Sequence, residues 1–261
     1  MEIPIHHIDA FVTSGVFTGN PAAVCPLDQW LPDDVMQKIA TENNLSETAF
    51  FVGGNGVYRI RWMTPLAEID LCGHATLASA HVVFSRLEPG RKEVRFDSMS
   101  GPLHVRADGD RLVLDFPSRP AERVAPRPEV AEALGRAPIE LLVARDYVAV
   151  FGSADEVRNL VPDMARLRRL DRKAVIVTAP GSGDVDFVSR FFGPGYGIDE
   201  DPVTGSSHCS LIPFWSRRLG KKRLHALQVS PRGGDLVCDD LGDRVGIGGR
   251  VATYLEGRIR I

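Results

Sequence analysis

Two glycine turns carry most of the residues in this sequence that could do chemistry. The first turn, at Gly73, lies in the stretch Leu71–His81, and the second, at Gly205, lies in the stretch Val203–Leu211. In each, an extended segment passes through the glycine into an apolar helix, so free backbone N–H groups point at one spot where an anion is stabilised. The repetition indicates a weak internal duplication, and we expect the two helix N-termini to face one cleft.

Ionisable side chains cluster at both turns. Those at the first are Asp70, Cys72 and His74, and those at the second are Asp199, Glu200, Asp201 and His208. Such a set suits proton transfer next to a carbonyl or carboxylate, where one group takes a proton and a second group returns it. The pKa values of the two groups must then be tuned by burial or by a neighbouring charge.

Cys72 could be a thiol base or a small buried residue. A thiol at a helix N-terminus can have a lowered pKa and act as a base. A racemase with two thiol bases needs a second cysteine before the matching glycine turn, but Pro202, Val203 and Thr204 stand there. The sequence therefore favours Cys72 as a small buried residue.

Glu47 and Asn20 are further candidates. Glu47 stands directly before the aromatic and β-branched segment Thr48–Val52, which is typical of a buried strand. A carboxylate at that point is either a solvated edge residue or a functional acid. Position alone does not establish a functional acid, because perturbed carboxylates also occur in structural ion pairs. Asn20 lies in Thr18–Pro21, a pattern typical of a turn.

The elements that must position these residues repeat in two halves, each with short strands, a glycine turn, one apolar helix and more strands. The helix predicted at roughly His74–Phe84 has almost no charge until Arg86, which is typical of a core helix. Short strands around such a helix indicate a curved or barrel-like sheet. The proline-rich segment Ser118–Pro128 is the best linker candidate. We therefore predict an N-terminal lobe, 1–117, and a C-terminal lobe, 118–249; the sequence leaves open whether a last strand at about 250–261 returns to the N-terminal lobe.

Composition limits the possible functions. The chain has 261 residues, is 44% hydrophobic and 25% charged, and carries a formal net charge of -3, which argues against nucleic acid or an anionic membrane as the main partner. No apolar run reaches the roughly 18 residues of a transmembrane helix. Four cysteines without CxxC spacing argue against a zinc site, and with no signal-peptide pattern we expect a cytoplasmic protein with reduced thiols.

Six segments, in order along the chain, resemble the PhzF-like family of phenazine-biosynthesis-type isomerases and predicted epimerases, which are relatives of diaminopimelate epimerase. The segments are Asp9–Phe11, Gly19–Val24, Ser46–Phe50, Cys72–Thr76, Asp201–Ser206 and Gln228–Gly234. The resemblance implies an α+β fold of two pseudo-symmetric lobes, each a β-barrel-like sheet wrapped around a central helix. It also implies an active site between the lobes, a homodimer, and no cofactor or metal.

The resemblance assigns roles residue by residue. It implies that Glu47, in the Ser-Glu-Thr motif, shuttles a proton across the substrate, with His74 and Asp201 orienting polar groups and assisting the transfer. The residues it implies for substrate binding are Asn20, Gly73, Gly205 and Ser206. The N–H groups of the last three fit this role, since they can hold a substrate carboxylate.

Our hypothesis is a cofactor-independent isomerase or epimerase that moves a proton on a small carboxylate-bearing metabolite by general acid/base catalysis. Two alternatives stay open on the sequence alone. One is a non-catalytic small-metabolite-binding protein with the same fold, and the other is a thiol-dependent amino-acid racemase that uses Cys72.

Overall fold

A computed structural model describes residues 1–261, which form strands β1–β18 and helices α1–α6. The chain divides into two compact units, unit 1 (1–115 with 248–261) and unit 2 (116–247). Among all the helices of the chain, there is none with the length and apolar character needed to cross a membrane.

Unit 1 contains two of the six helices and nine of the eighteen strands, of which β8 runs two residues past the boundary with unit 2. Its elements are β1 (Glu2–Ala10), β2 (Asn20–Leu27), α1 (Asp33–Asn43), β3 (Glu47–Gly54), β4 (Val57–Met63), β5 (Glu68–Ile69), α2 (Gly73–Val82), β6 (Glu93–Ser98), β7 (Gly101–Asp108), β8 (Arg111–Pro117) and β18 (Val251–Arg260). A short π-helical turn, Val83–Leu87, extends α2.

The pairing order in unit 1 alternates between antiparallel and parallel neighbours. Strand β1 pairs antiparallel with β2, β2 parallel with β3, β3 antiparallel with β4, β4 parallel with β6, and β6 antiparallel with β7. The last strand, β18, returns to pair with β1 from Glu2 opposite Arg260 to Ala10 opposite Val251. The β3–β4 hairpin closes through Asn55 and Gly56, both with positive φ, as a tight turn between right-twisted strands requires.

Helix α2 forms the core of unit 1. It has no Asp, Glu, Lys or Arg among its ten residues, and every residue except Gly73 and His81 is buried. It packs against β1, β2, β3, β7 and β18. Five strands can contact one helix only if their sheet curves around it, so the prediction of a core helix inside a curved sheet is confirmed for this unit.

Unit 2 contains the other four helices and the remaining strands. Its elements are β9 (Glu122–Val124), α3 (Pro128–Leu134), β10 (Glu140–Val143), β11 (Tyr147–Val150), α4 (Ala154–Arg158), α5 (Met164–Leu167), β12 (Val175–Pro180), β13 (Phe187–Gly193), β14 (Ile198–Asp201), α6 (Gly205–Leu219), β15 (Arg223–Gln228), β16 (Gly234–Asp240) and β17 (Arg244–Gly249). Strand β9 lies inside the segment predicted as a linker, and it pairs with β10.

The pairing order of unit 2 repeats that of unit 1. Strand β10 is antiparallel to β11, β11 parallel to β12, β12 antiparallel to β13, β13 parallel to β15, and β15 antiparallel to β16. The long helix α6 falls between β13 and β15, as α2 falls between β4 and β6. The same five pairings in the same order confirm the internal duplication and the mixed α+β class.

Candidate active site

Glu47 is placed by the connection between α1 and β3. Helix α1 ends at Asn44, which takes the left-handed conformation with φ of 49° and donates its N–H to the carbonyl of Ala40. The Asn43 side chain then donates to Thr48 Oγ1 at 3.1 Å, which fixes the start of β3. Glu47, the first residue of that strand, is buried, and its neighbour across the parallel pair is the small residue Ala22. The interpretation of Glu47 as a solvated edge residue is therefore wrong.

His74 is placed by the start of α2. Cys72 is the N-cap residue with an extended backbone, and its carbonyl accepts a hydrogen bond from Thr76 Oγ1 at 2.5 Å. The helix begins at Gly73, so His74 lies in the first turn with its ring buried. The N–H groups of this turn have no partners within the helix, and together with the helix dipole they favour an anion at this end.

Asn20, Cys72, Glu47 and His74 meet in one buried cluster. His74 Nε2 lies 3.0 Å from Glu47 Oε2. On the other side of the ring, His74 Nδ1 lies 3.2 Å from Asn20 Nδ2 and 3.5 Å from Cys72 Sγ. When the ring is neutral and Asn20 donates to Nδ1, the ring proton is on Nε2 and faces the Glu47 carboxylate.

Electrostatics in this cluster favour a charged imidazole and a neutral thiol. Burial by itself would lower the pKa of His74, but the Cys72 sulfur and the Glu47 carboxylate beside it raise that pKa well above its ordinary value. Burial, together with the Glu47 carboxylate, raises the pKa of the Cys72 thiol to about 11. The thiol is therefore neutral near pH 7, and Glu47 supplies the negative charge that favours the imidazolium form.

The second glycine turn is held by a side chain that sequence analysis did not single out. Gln228, at the end of β15, is buried; its Oε1 accepts the Thr204 N–H at 2.9 Å, and its Nε2 donates to the Asp201 carbonyl at 2.8 Å. Thr204 Oγ1 donates to Asp201 Oδ2 at 2.5 Å. Gly205 and Ser206 follow as the first residues of α6, so this helix start also presents N–H groups.

His208 is a structural residue rather than an acid or base. Its Nδ1 donates to the carbonyl of Thr204 at 2.8 Å, and its ring lies 5.9 Å from that of Phe187. Burial lowers the pKa of His208 to about 4, although the hydrogen bond to Thr204 acts in the opposite direction. The ring is therefore neutral over the physiological pH range and holds the first turn of α6.

We expect His208 to make the protein less stable in mild acid. Because the unfolded chain protonates this ring near its ordinary pKa of 6.5 and the folded chain only near 4, stability falls as the pH drops from about 6.5 to 4. The full loss is about 3 kcal/mol. Urea unfolding at several pH values should show it as a steeper acid dependence for wild type than for His208→Asn, whose amide can still donate to Thr204. Parallel curves for the two proteins would contradict this origin of the pH dependence.

The structure thus brings together two groups of the residues predicted from sequence. In unit 1, Asn20 and Glu47 both contact the ring of His74. In unit 2, Asp201, Gly205 and Ser206 lie close together in the chain, at the end of β14 and the start of α6. Asp199 and Glu200 are instead engaged by arginines, Asp199 by Arg168 and Glu200 by Arg190. In the sequence, the only signal for Gln228 is the segment Gln228–Gly234 that resembles the family.

Comparison with known proteins gives a consistent result. Residues 8–257 match the family model described as phenazine biosynthesis-like protein, PhzC-PhzF. An uncharacterised isomerase of Pseudomonas aeruginosa is 51% identical over 261 residues, covering 100% of both proteins. The crystal structure of a PhzF-family phenazine biosynthesis protein from Enterococcus faecalis is 47% identical, with a TM-score of 0.97 over 100% of each chain.

The fold likeness extends further than the sequence likeness. A probable proline racemase from Agrobacterium radiobacter is 9% identical, with a TM-score of 0.61 over 99% of this chain and 93% of that one. At that identity the comparison concerns the fold alone. It confirms the predicted fold class, which this chain shares with that probable racemase.

Proposed function

Because this chain belongs to the phenazine biosynthesis-like (PhzC-PhzF) family, we propose that it is an isomerase or epimerase that moves a proton on a small carboxylate-bearing metabolite. Its full-length likeness to a protein described as an isomerase supports the reaction class. The observation that carries the proposal is the buried contact of 3.0 Å between Glu47 Oε2 and His74 Nε2. We propose general acid/base catalysis without a cofactor.

Glu47 is the proposed proton carrier. It removes a proton from a carbon next to the substrate carboxylate and returns it to another carbon for isomerisation; epimerisation requires instead that a proton reach the opposite face of the same carbon. The Glu47 carboxylate lies 3.0 Å from the His74 ring, and its charge helps to raise the pKa of that ring and so favours the imidazolium. The same imidazolium can donate to an oxygen of the substrate as negative charge develops there.

The helix starts are the proposed anion sites. The first turn of α2, from Gly73, presents N–H groups next to His74 and so can hold the substrate carboxylate close to the acid/base pair. Asn20 is proposed to bind substrate and, through its contact with Nδ1, to set the orientation of the His74 ring. For Asp201, Gly205 and Ser206 the roles implied by family resemblance remain proposals.

A thiol base is a weaker candidate. With a pKa of about 11 and a buried side chain, Cys72 is a poor proton acceptor near neutral pH. No specific observation favours the racemase that uses Cys72 over the carboxylate mechanism.

Deuterium incorporation tests the proposed function. We expect the purified protein, incubated in deuterated water with a panel of small carboxylic metabolites, to introduce deuterium at carbon in at least one of them, read by mass spectrometry. Thermal shift with the same panel reports binding independently. A metabolite that raises the melting temperature but acquires no deuterium, with no turnover of any other compound, would support the non-catalytic binding protein instead.

A further inference from the structure

Three side chains of the unit 1 cluster together offer a set of metal ligands. A carboxylate oxygen of Glu47, the sulfur of Cys72 and a ring nitrogen of His74 all lie within 4.8 Å of one another. In a tetrahedral zinc site the bonds are about 2.0–2.3 Å long, which places the ligand atoms on the order of 3.3–3.8 Å apart. The cluster is therefore only slightly wider than a formed site.

Two of these atoms form a close ion pair but make no hydrogen bond. Glu47 Oε2 and His74 Nε2 are buried, and their side chains are only 7% and 5% exposed. They approach within 3.0 Å, but neither makes a hydrogen bond of acceptable geometry. Buried polar atoms without such a bond are costly, and a cation between them would satisfy both at once.

We propose that Glu47, Cys72 and His74 form a binding site for a thiophilic divalent cation of the zinc class, and that its occupation blocks proton transfer at the same residues. The first half of this proposal concerns binding alone. The second half rests on the proposed function, because it requires Glu47 and His74 to be the groups that transfer the proton.

The donor set selects the class of metal. Thiolate and imidazole ligands suit Zn²⁺ and Co²⁺, whereas Mg²⁺ and Ca²⁺ prefer sites built from oxygen alone. Three protein ligands leave a fourth position for water or a substrate carboxylate. Coordination by one ring nitrogen requires rotation of the His74 ring or of the Glu47 carboxylate, since Cys72 lies nearest Nδ1 and Glu47 nearest Nε2.

Protons must leave as the metal enters. The Cys72 thiol loses its proton to solvent and binds as thiolate, and His74 binds as neutral imidazole. No electron is transferred. The cysteine spacing along the chain gave no sign of such a site, because it uses a single cysteine and draws its other ligands from the same helix start and from β3.

Cobalt titration of the full-length protein tests binding without any substrate. We expect Co²⁺ to produce the near-ultraviolet charge-transfer band of a cobalt–thiolate bond, and Zn²⁺ to abolish it by competition. The band should be lost in Cys72→Ser, and the Co²⁺ affinity of Glu47→Gln should fall by about tenfold or more. Cys25→Ala is the matched control, because Cys25 is also fully buried in unit 1 but lies in an apolar cluster.

The outcomes separate the proposal from its alternatives. Absence of the band, its persistence in Cys72→Ser, or its loss in Cys25→Ala would overturn the site.

Inhibition by the metal is tested separately. For each variant, the rate of deuterium incorporation with Zn²⁺ is divided by the rate without Zn²⁺, so that differences in basal activity cancel. We expect strong inhibition in wild type and little in Cys72→Ser. Binding without inhibition would overturn the second half, whereas a cobalt band in a protein that exchanges no substrate would leave the site standing and remove the proposed function.

Discussion

Replacement of Glu47 by Gln is expected to lower the rate of deuterium incorporation by about 10²- to 10⁴-fold. Glutamine has nearly the shape of glutamate and can keep the position beside His74, but its amide cannot accept a proton at neutral pH. The loss should therefore fall on kcat, with a smaller change in KM, because the substrate carboxylate is proposed to bind at the helix start. Mass spectrometry of the product formed in deuterated water measures the rate of deuterium incorporation.

Glu88→Gln is the matched control for this variant. Glu88 is a partly buried carboxylate of the same unit that accepts hydrogen bonds from the N–H of Gly56 and the hydroxyl of Tyr58. Its loss should affect stability and leave the exchange rate close to that of wild type. If Glu47→Gln and wild type exchange at equal rates, Glu47 is not the proton carrier.

Replacement of Gln228 by Leu should destabilise the protein by roughly 2–5 kcal/mol, because it removes partners from two backbone groups at the second glycine turn. The Thr204 N–H loses its acceptor and the Asp201 carbonyl loses its donor. Leucine is close in volume, so a cavity contributes little. Urea unfolding measures the change, and binding or exchange of substrate should weaken with it, since Asp201 and the start of α6 lose their support.

Gln37→Leu provides the comparison for this substitution. Gln37 lies on α1 and donates one hydrogen bond, from Nε2 to the carbonyl of Thr64 at 2.9 Å. Loss of one partly buried hydrogen bond should lower the free energy of unfolding by about 1 kcal/mol. Equal destabilisation by the two variants would mean that Gln228 does not support the turn in the way described.

Local patterns were sufficient to predict the elements that carry the site. The aromatic and β-branched residues after Glu47 predicted β3, and the absence of Asp, Glu, Lys and Arg after Gly73 predicted the core helix α2. Both signals report burial, which periodicity and composition encode directly. The repeated order of strands, glycine turn and helix was visible for the same reason.

Contacts between residues distant in sequence could not be predicted in the same way. Asn20 has the pattern of a turn residue, yet it begins β2 and reaches His74, 54 positions along the chain. Gln228 supports Thr204 across 24 positions through two hydrogen-bonding atoms of one amide. Such side-chain contacts follow from which strands lie side by side, and neither hydrophobic spacing nor turn chemistry specifies that.

The pairing of β18 with β1 has a consequence for biosynthesis. Unit 2 is one uninterrupted segment, 116–247, so all of its chain has been translated before the final strand emerges from the ribosome. The sheet of unit 1 can be completed only later, because the partner of its first strand lies within residues 248–261. On the nascent chain, the unit that contains Glu47 and His74 is therefore completed after unit 2, and a chain truncated before residue 248 would leave β1 without β18 as its neighbour.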